Sequence, residues 1–371
     1  MTGTVTTLFL CGDVMTGRGI DQILPHPSDP VIHEPYLKDA RGYLRLAEQA
    51  SGKIPFPVQC GYPWGDALAV LEKMAPDLRI VNLETSVTRS DDYWKGKGIN
   101  YRMHPANVCC LTAARIDACS LSNNHVLDWG YAGLDETLGR LHGAEVKTAG
   151  AGRNLEEATT PAELAVPGKG VVHLFSFGLE SSGIPPAWGA TSAKPGVNLL
   201  PDLSESTLAK IAAQVKAVKK VGDAVIASLH WGGNWDFEVT RQERKFAHAL
   251  IDSAAVDIVH GHSSHHVKGI ELYHGRLLLY GCGDFINDYE GIRGYEAYRA
   301  ELGLMYFPCL DLASGELLSL VMVPTKIGKL RVQSATAQET AWLRDTLNRE
   351  GEKFGTCVQM REDGSLLLQL R

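Results

Sequence analysis

The 371-residue chain lacks any apolar stretch near the ~18 residues that suggest a membrane-spanning helix. Its opening residues, MTGTVTTLFLCGDVM, have no basic region ahead of the short apolar run, so no secretory leader is expected. None of the 8 cysteines forms a Cys-x-x-Cys pair, which removes the usual spacing signal for structural zinc or a thiol–disulfide motif. Several, such as Cys11 and Cys119, sit in apolar runs. They read as small buried residues in a reducing cytosol, ahead of a disulfide framework or structural zinc. A net charge of -7 argues against a general nucleic-acid or anionic-membrane surface, though not against a local basic pocket. There is no internal repeat and no low-complexity tract. With 44% hydrophobic and 21% charged residues, the composition is that of a globular protein of enzyme size, expected in the cytoplasm.

What is present is an alternation of strand-like and helix-like runs. VTTLFLCGD, LRIVNLE, DACSLSNNH, the stretch from Val146 to Ala149, DAVIASLHWG, VDIVHGH and GRLLLYGCGDF read as strands. GDALAVLEKMAPD, PANVCCLTAARI, YAGLDETLGRLHGA, STLAKIAAQVKAVKKVG and RQERKFAHALIDSAA have helical spacing. This is an α/β pattern. A proline-rich stretch from Leu24 to Pro63, with a short helix around Ala40 to Gln49, is a lid or a surface excursion. The end of the chain reads as a hairpin turned at Asp363-Gly364. Residues 1–330 are expected to form one domain with an insertion near 24–63, and 331–371 a helix-and-hairpin extension packed on it.

The stretch VHGHSSHHV places His260, His262, His265 and His266 within seven residues, with neither helical nor strand periodicity. Packing alone rarely calls for so much imidazole. Asp13, Glu84, Asn124, His125, His230 and His262 all fall where a strand-like run stops. In open α/β sheets such ends converge on one crevice. Asp13, Glu84, Asn124, His230, His262 and His265 make a mixed oxygen and nitrogen set suited to zinc, manganese or iron. Six ligands exceed one tetrahedral ion and suffice for two sharing a carboxylate. The plainer readings are a turn carboxylate for Asp13 and a satisfied core histidine for His230. His260 and His266 read as supporting or surface residues.

The segments CGDVMTGRG, VNLETSV, LSNNHVLDWG, SLHWGGNW and VHGHSSHHVKGIE, in that order from Gly12 to Phe285, resemble the CapA (poly-γ-glutamate capsule biosynthesis) family. That family belongs to the calcineurin-like metallophosphoesterase superfamily. The resemblance implies a four-layer α/β/β/α sandwich, and one or two divalent transition-metal ions held by Asp13, Glu84, Asn124, His230, His262 and His265, with Glu84 bridging. It implies that His125 protonates a leaving group while Asp128 orients it. Arg102 and His104 in INYRMHP resemble a segment lining the cleft, and Arg18 is a weaker candidate for contact with an anionic substrate.

Three positions depart from the superfamily pattern. Met15 stands where Asp-x-His is usual, leaving one metal position a ligand short, because a thioether is a poor donor to such ions. Ser263-Ser264 replaces His-Pro. Asp284 replaces Asn, as an extra acid near the site or a strand-end turn residue. The implied activity is a metal-dependent hydrolase in which a metal-activated water attacks a phosphoester or a glutamyl-type amide. The alternatives are an accessory protein of poly-γ-glutamate synthesis or export with a vestigial site, and a protein that binds an anionic ligand without turnover.

Overall fold

The computed structural model describes residues 5–369. Two β-sheets organise it. The larger holds ten strands. Its central run is Leu302–Asp311, Val5–Val14, Leu78–Leu83, Ala118–Ser120 and Lys147–Ala149, with Asp284–Ile286 also paired to Val5–Val14. The smaller has six strands, in the order Ile270–Tyr273, Arg276–Leu279, Ile258–His262, Ala224–His230, Gly170–Gly178 and Ala162–Val166. Val5–Val14 runs parallel to Leu78–Leu83 and Asp284–Ile286 and antiparallel to Leu302–Asp311, while Ala224–His230 is parallel to both of its neighbours. Their sequences are near-continuous apolar runs, as strands buried on both faces require.

Strand alternation sorts those runs into separate cores. Leu8 and Leu10 face Val172, Leu174, Ile226 and Ile258 in a cluster between the two sheets. Phe9 and Cys11 turn the other way, onto Leu71, Leu111, Leu134 and Leu138, which lie in or beside helices. On the far face of the smaller sheet, Val225, Ala227 and Val259 meet Ile211 and Val215 of helix Glu205–Val218 and Phe246 and Leu250 of helix Arg241–Ala254. The second helix starts with a capping box in which Thr240 and Glu243 satisfy each other's backbone amides. Among the described residues, no helix is long and apolar enough to cross a membrane.

Several expectations are corrected. DACSLSNNH gives a strand only over Ala118–Ser120; Asn124 and His125 lie on the irregular segment beyond it. PANVCCLTAARI is a 3-10 turn, Pro105–Val108, followed by a five-residue helix, Cys109–Ala113. GRLLLYGCGDF is two strands: Arg276–Leu279 stays in the smaller sheet, and the chain then crosses so that Asp284–Ile286 joins the larger. Strands Ala162–Val166, Gly170–Gly178, Leu302–Asp311 and Glu316–Gly328 had no counterpart in the sequence reading. The cysteines divide. Cys11, Cys110, Cys119 and Cys282 are buried thiols, but Cys60 and Cys109 form a disulfide across 49 residues of sequence. Packing of the insertion against the Cys109 helix brings that pair together, which no local spacing announces. A disulfide persists in an oxidising compartment, so cysteine usage no longer supports a reducing one.

Within the insertion, the helix Arg41–Ser51 carries Tyr43 inward, and Ile54 and Val58 enter the helix-side core. At the other end of the chain, helix Ala337–Gly351 and strands Val358–Met360 and Leu366–Leu368 supply Leu343, Leu347, Val358, Leu366 and Leu368 to the cluster between the sheets.

Candidate metal centre

The strand ends meet where the two sheets face each other. Asp13 lies opposite Asn82 on one neighbouring strand and opposite Asp284 on the other. The Asn82 side-chain amide donates to Asp13 Oδ1 at 2.7 Å and to Glu84 Oε2 at 3.2 Å, so one residue ties both carboxyls. Asp13 Oδ2 accepts from the backbone amide of Ser263, which is held at φ 95° directly after His262. Strained backbone of this kind concentrates at functional sites. The glycines preceding Asp13 and His262 are there for contact. A Cβ on Gly12 would stand 1.7 Å from the Gly283 carbonyl oxygen, and one on Gly261 2.5 Å from that of Tyr280.

A chain of hydrogen bonds sets the histidine tautomers. His260 Nε2 faces the Cys11 carbonyl oxygen at 2.8 Å and therefore donates to it. His260 Nδ1 is then an acceptor, and it takes the Ser228 hydroxyl proton at 3.2 Å. Ser228 Oγ in turn accepts from His262 Nε2 at 2.8 Å. That leaves a lone pair on His262 Nδ1, which lies 2.7 Å from His230 Nδ1. A proton or a cation has to sit between those two nitrogens. His230 Nε2 lies 3.1 Å from Asn124 Oδ1 and 3.9 Å from Glu84 Oε2.

Donor atoms of Asp13, His230 and His262 lie within 4.8 Å of one another, as do those of Asp13, His265 and Asp284. All five residues are buried. Asp13 belongs to both groups. Burial, with the Asp284 carboxylate beside it, pushes the Asp13 carboxyl up to about 7. Burial and then Asp13 hold Glu84 well above the usual carboxylate range, and burial pushes His230 and His262 well below theirs. Neutral imidazoles beside carboxyls that release a proton when a cation arrives form a donor set that fits a transition-metal ion.

His125 stands at the edge of this group. Its Nε2 is 3.7 Å from Glu84 Oε1, and its Nδ1 is 2.6 Å from Asp128 Oδ2. Asp128 is fixed by the Tyr101 amide and by Lys97 Nζ, each at 2.6 Å, and Lys97 Nζ also lies 2.9 Å from His125 Nδ1. Burial pushes the imidazole down to about 4, against the pull of Asp128. His265, Nδ1 2.9 Å from Asp284 Oδ1, goes the other way: burial lowers it, but the charge and hydrogen bond of Asp284 together with the Asp13 charge outweigh burial and raise it. His266 points elsewhere, its Nε2 accepting from the Asp236 amide.

The three residues read as cleft contacts are engaged inside the protein. Arg18 pairs with Asp288 and with Glu34 of the insertion, its guanidinium 3.8 Å from the Tyr43 ring centroid and its side chain 1% exposed. Arg102 donates to Asp91 and to the carbonyls of Ser90 and Asp29, and covers Trp129. His104 Nδ1 caps the 3-10 turn by accepting from the Ala106 amide. Asn123, the neighbour of Asn124, bonds Asn82 Oδ1 and the Leu83 carbonyl and caps the His125 and Val126 amides.

Asn82, Ser228 and Lys97 escaped the sequence reading. The first two were accessible, since each lies two residues before Glu84 or His230 on a strand and so shares its face. Lys97, on an irregular segment, gave no signal.

Fold and site together define a mixed α/β protein with a buried histidine–carboxylate centre at its strand ends. The chain belongs to the bacterial capsule synthesis protein family PGA_cap, which it matches over residues 7–289. It is 48% identical over 363 residues to a probable polyglutamine synthesis accessory protein of Mycobacterium tuberculosis, covering 98% of this chain and 95% of that one. It is 29% identical over 216 residues to the PGA biosynthesis protein CapA of Bacillus subtilis, covering 58% and 54%. With the capsule biosynthesis protein CapA of Bacillus anthracis it shares 24% over 284 residues, covering 76% and 60%. The CapA resemblance carried by the motifs is borne out.

Proposed function

We propose that this protein is a CapA-like metal-dependent hydrolase acting on a phosphoester or a glutamyl-type amide. The observation that carries the reading is the pair of buried donor groups that share Asp13. We take the architecture as the four-layer α/β/β/α sandwich of calcineurin-like proteins, a reading supported by one apolar cluster between the sheets and separate clusters on their outer faces.

In this reading Asp13, Glu84, Asn124, His230, His262 and His265 hold one or two ions of manganese, zinc or iron. Asp13 is common to both donor groups, and Glu84, which the family resemblance makes the bridging carboxylate, lies toward His125 and His230. Bound ions of this kind polarise a scissile oxygen and generate a nucleophile from water at neutral pH.

The chain's own residues do the rest. Asp128, held by Lys97 and the Tyr101 amide, keeps the Nδ1–H of His125 and leaves Nε2 to exchange a proton with the leaving group. An anionic substrate beside the imidazole raises its proton affinity from the low value that burial imposes. Water and substrate enter where Asn124 is half-buried and where His125 and His265 are each 7% exposed. Arg18, fully engaged with Asp288 and Glu34, anchors the insertion beside this opening.

The test is a turnover screen of aryl phosphate diesters and γ-glutamyl amides with manganese or zinc added. Turnover that disappears in His125→Ala supports the hydrolase. Absence of turnover on both classes favours the second reading, an accessory protein of poly-γ-glutamate synthesis or export that holds its ions without catalysis. The Mycobacterium tuberculosis relative's name supports that alternative.

A further inference from the structure

Asp284 opens the strand Asp284–Ile286, which runs parallel to the end of Val5–Val14 with Asp284 across from Asp13. Asp13 is 0% and Asp284 1% exposed. Two carboxylates buried side by side repel each other unless one of them holds a proton or a cation lies between them. The geometry around them supplies a third donor. His265 Nδ1 lies 2.9 Å from Asp284 Oδ1, and donors of Asp13, His265 and Asp284 are all within 4.8 Å of one another. Two ligands at right angles on one ion, each about 2.1 Å from it, are separated by about 3 Å. Asp284 is also held in place from behind, because its Oδ2 accepts from the Asn287 side-chain amide at 2.8 Å. Met15, also buried, is occupied elsewhere, its sulfur taking the Tyr289 hydroxyl at 3.8 Å.

We propose that Asp284 is a direct ligand, forming with Asp13 and His265 a second cation position distinct in character from the first. The position around His230 and His262 is rich in imidazole, whereas this one has two carboxylates to one imidazole. Carboxylate-rich sites suit manganese, and imidazole-rich sites suit zinc. The two positions therefore differ in metal preference, and the centre is built for two unlike ions. The inference rests on the metal-centre reading above. Its competitor is an Asp284 that only orients His265 by accepting the Nδ1 proton.

The deciding experiment is calorimetric titration of the metal-stripped full chain with Mn²⁺ alone and with Zn²⁺ alone. It compares the unaltered protein, Asp284→Asn, Asp284→Ala and His230→Ala, with melting curves recorded alongside. Asparagine keeps the side-chain volume and an acceptor for His265, so orientation survives while the charged ligand is lost. The expected result is that Asp284→Asn removes the second position, so that the chain takes up one Mn²⁺ fewer than the unaltered protein. Zn²⁺ binding and melting temperature should be retained, and Asp284→Ala should show the same pattern. His230→Ala should do the reverse, losing Zn²⁺ and keeping Mn²⁺. Unchanged Mn²⁺ uptake in Asp284→Asn would overturn the ligand assignment and leave the metal centre standing. No binding of either ion to the unaltered protein would overturn the metal centre itself.

Discussion

His260 Nε2 donates to the main-chain carbonyl of Cys11 at 2.8 Å, joining the smaller sheet to the larger directly beneath the candidate centre. This bond begins the relay through Ser228 that leaves His262 Nδ1 unprotonated toward His230. A histidine two residues from a candidate ligand thus acts on that ligand's tautomer without entering the centre.

Breaking the relay should therefore cost metal affinity. Replacement of His260 by Ala frees Ser228 to donate to His262, which turns Nδ1 into a proton carrier. Loss of such a supporting partner typically costs about 10- to 100-fold in metal affinity. The orphaned Cys11 carbonyl should lower stability by about 1–3 kcal/mol as well. Metal titration with a denaturation curve checks both. Full metal affinity in a folded His260→Ala protein would show that the relay does not set the tautomer.

His125 and Glu84 should separate cleanly. His125→Ala is expected to keep its ions and lose about 100- to 10,000-fold of any hydrolytic rate. Glu84→Ala is expected to lose metal together with activity. Elemental analysis beside a rate measurement distinguishes them. A His125→Ala protein stripped of metal would make His125 a ligand.

A third prediction concerns acid stability far from the centre. Glu271 accepts from Arg244, Tyr280 and His248. Burial opposes its ionisation, but Arg244, Tyr280 and His248 outweigh burial and hold the carboxyl below its ordinary value of 4.5. The folded state therefore binds fewer protons than the unfolded state around that pH. The resulting stability is present above 4.5 and is lost as pH falls through the lower folded value. Glu271→Gln should be less stable by roughly 1–3 kcal/mol at neutral pH, with the difference narrowing below pH 4.5. A gap that is constant with pH would mean that Glu271 contributes shape and not charge.

Much of the centre was legible because buried polar residues stand out at the ends of apolar runs. Asp13 closes LFLCGD and His230 closes AVIASLH, and nothing in a strand's interior would tolerate either without partners. The placement of Asp284 was harder to read. GRLLLYGCGDF looks like one strand, yet the chain leaves one sheet after Leu279 and enters the other at Asp284. Whether an acid at that position is a turn residue or a neighbour of Asp13 depends on which sheet receives it, and that is a tertiary fact. The same holds for Arg18. A lone arginine after a strand invites a role with an anion, and only the fold brings Glu34 and Asp288 to neutralise it. Lys97 and Cys60 lie in segments without periodicity, and Cys109 opens a short helix whose spacing carries no information about a distant partner.

The central claim is that the converging residues form a metal centre, and metal content tests it most directly. Purified protein, loaded separately with manganese, zinc and iron and freed of excess, should retain one to two ions per chain by elemental analysis. His262→Ala should retain markedly fewer while melting as a folded protein. Retention of no ion under any loading condition would contradict the account.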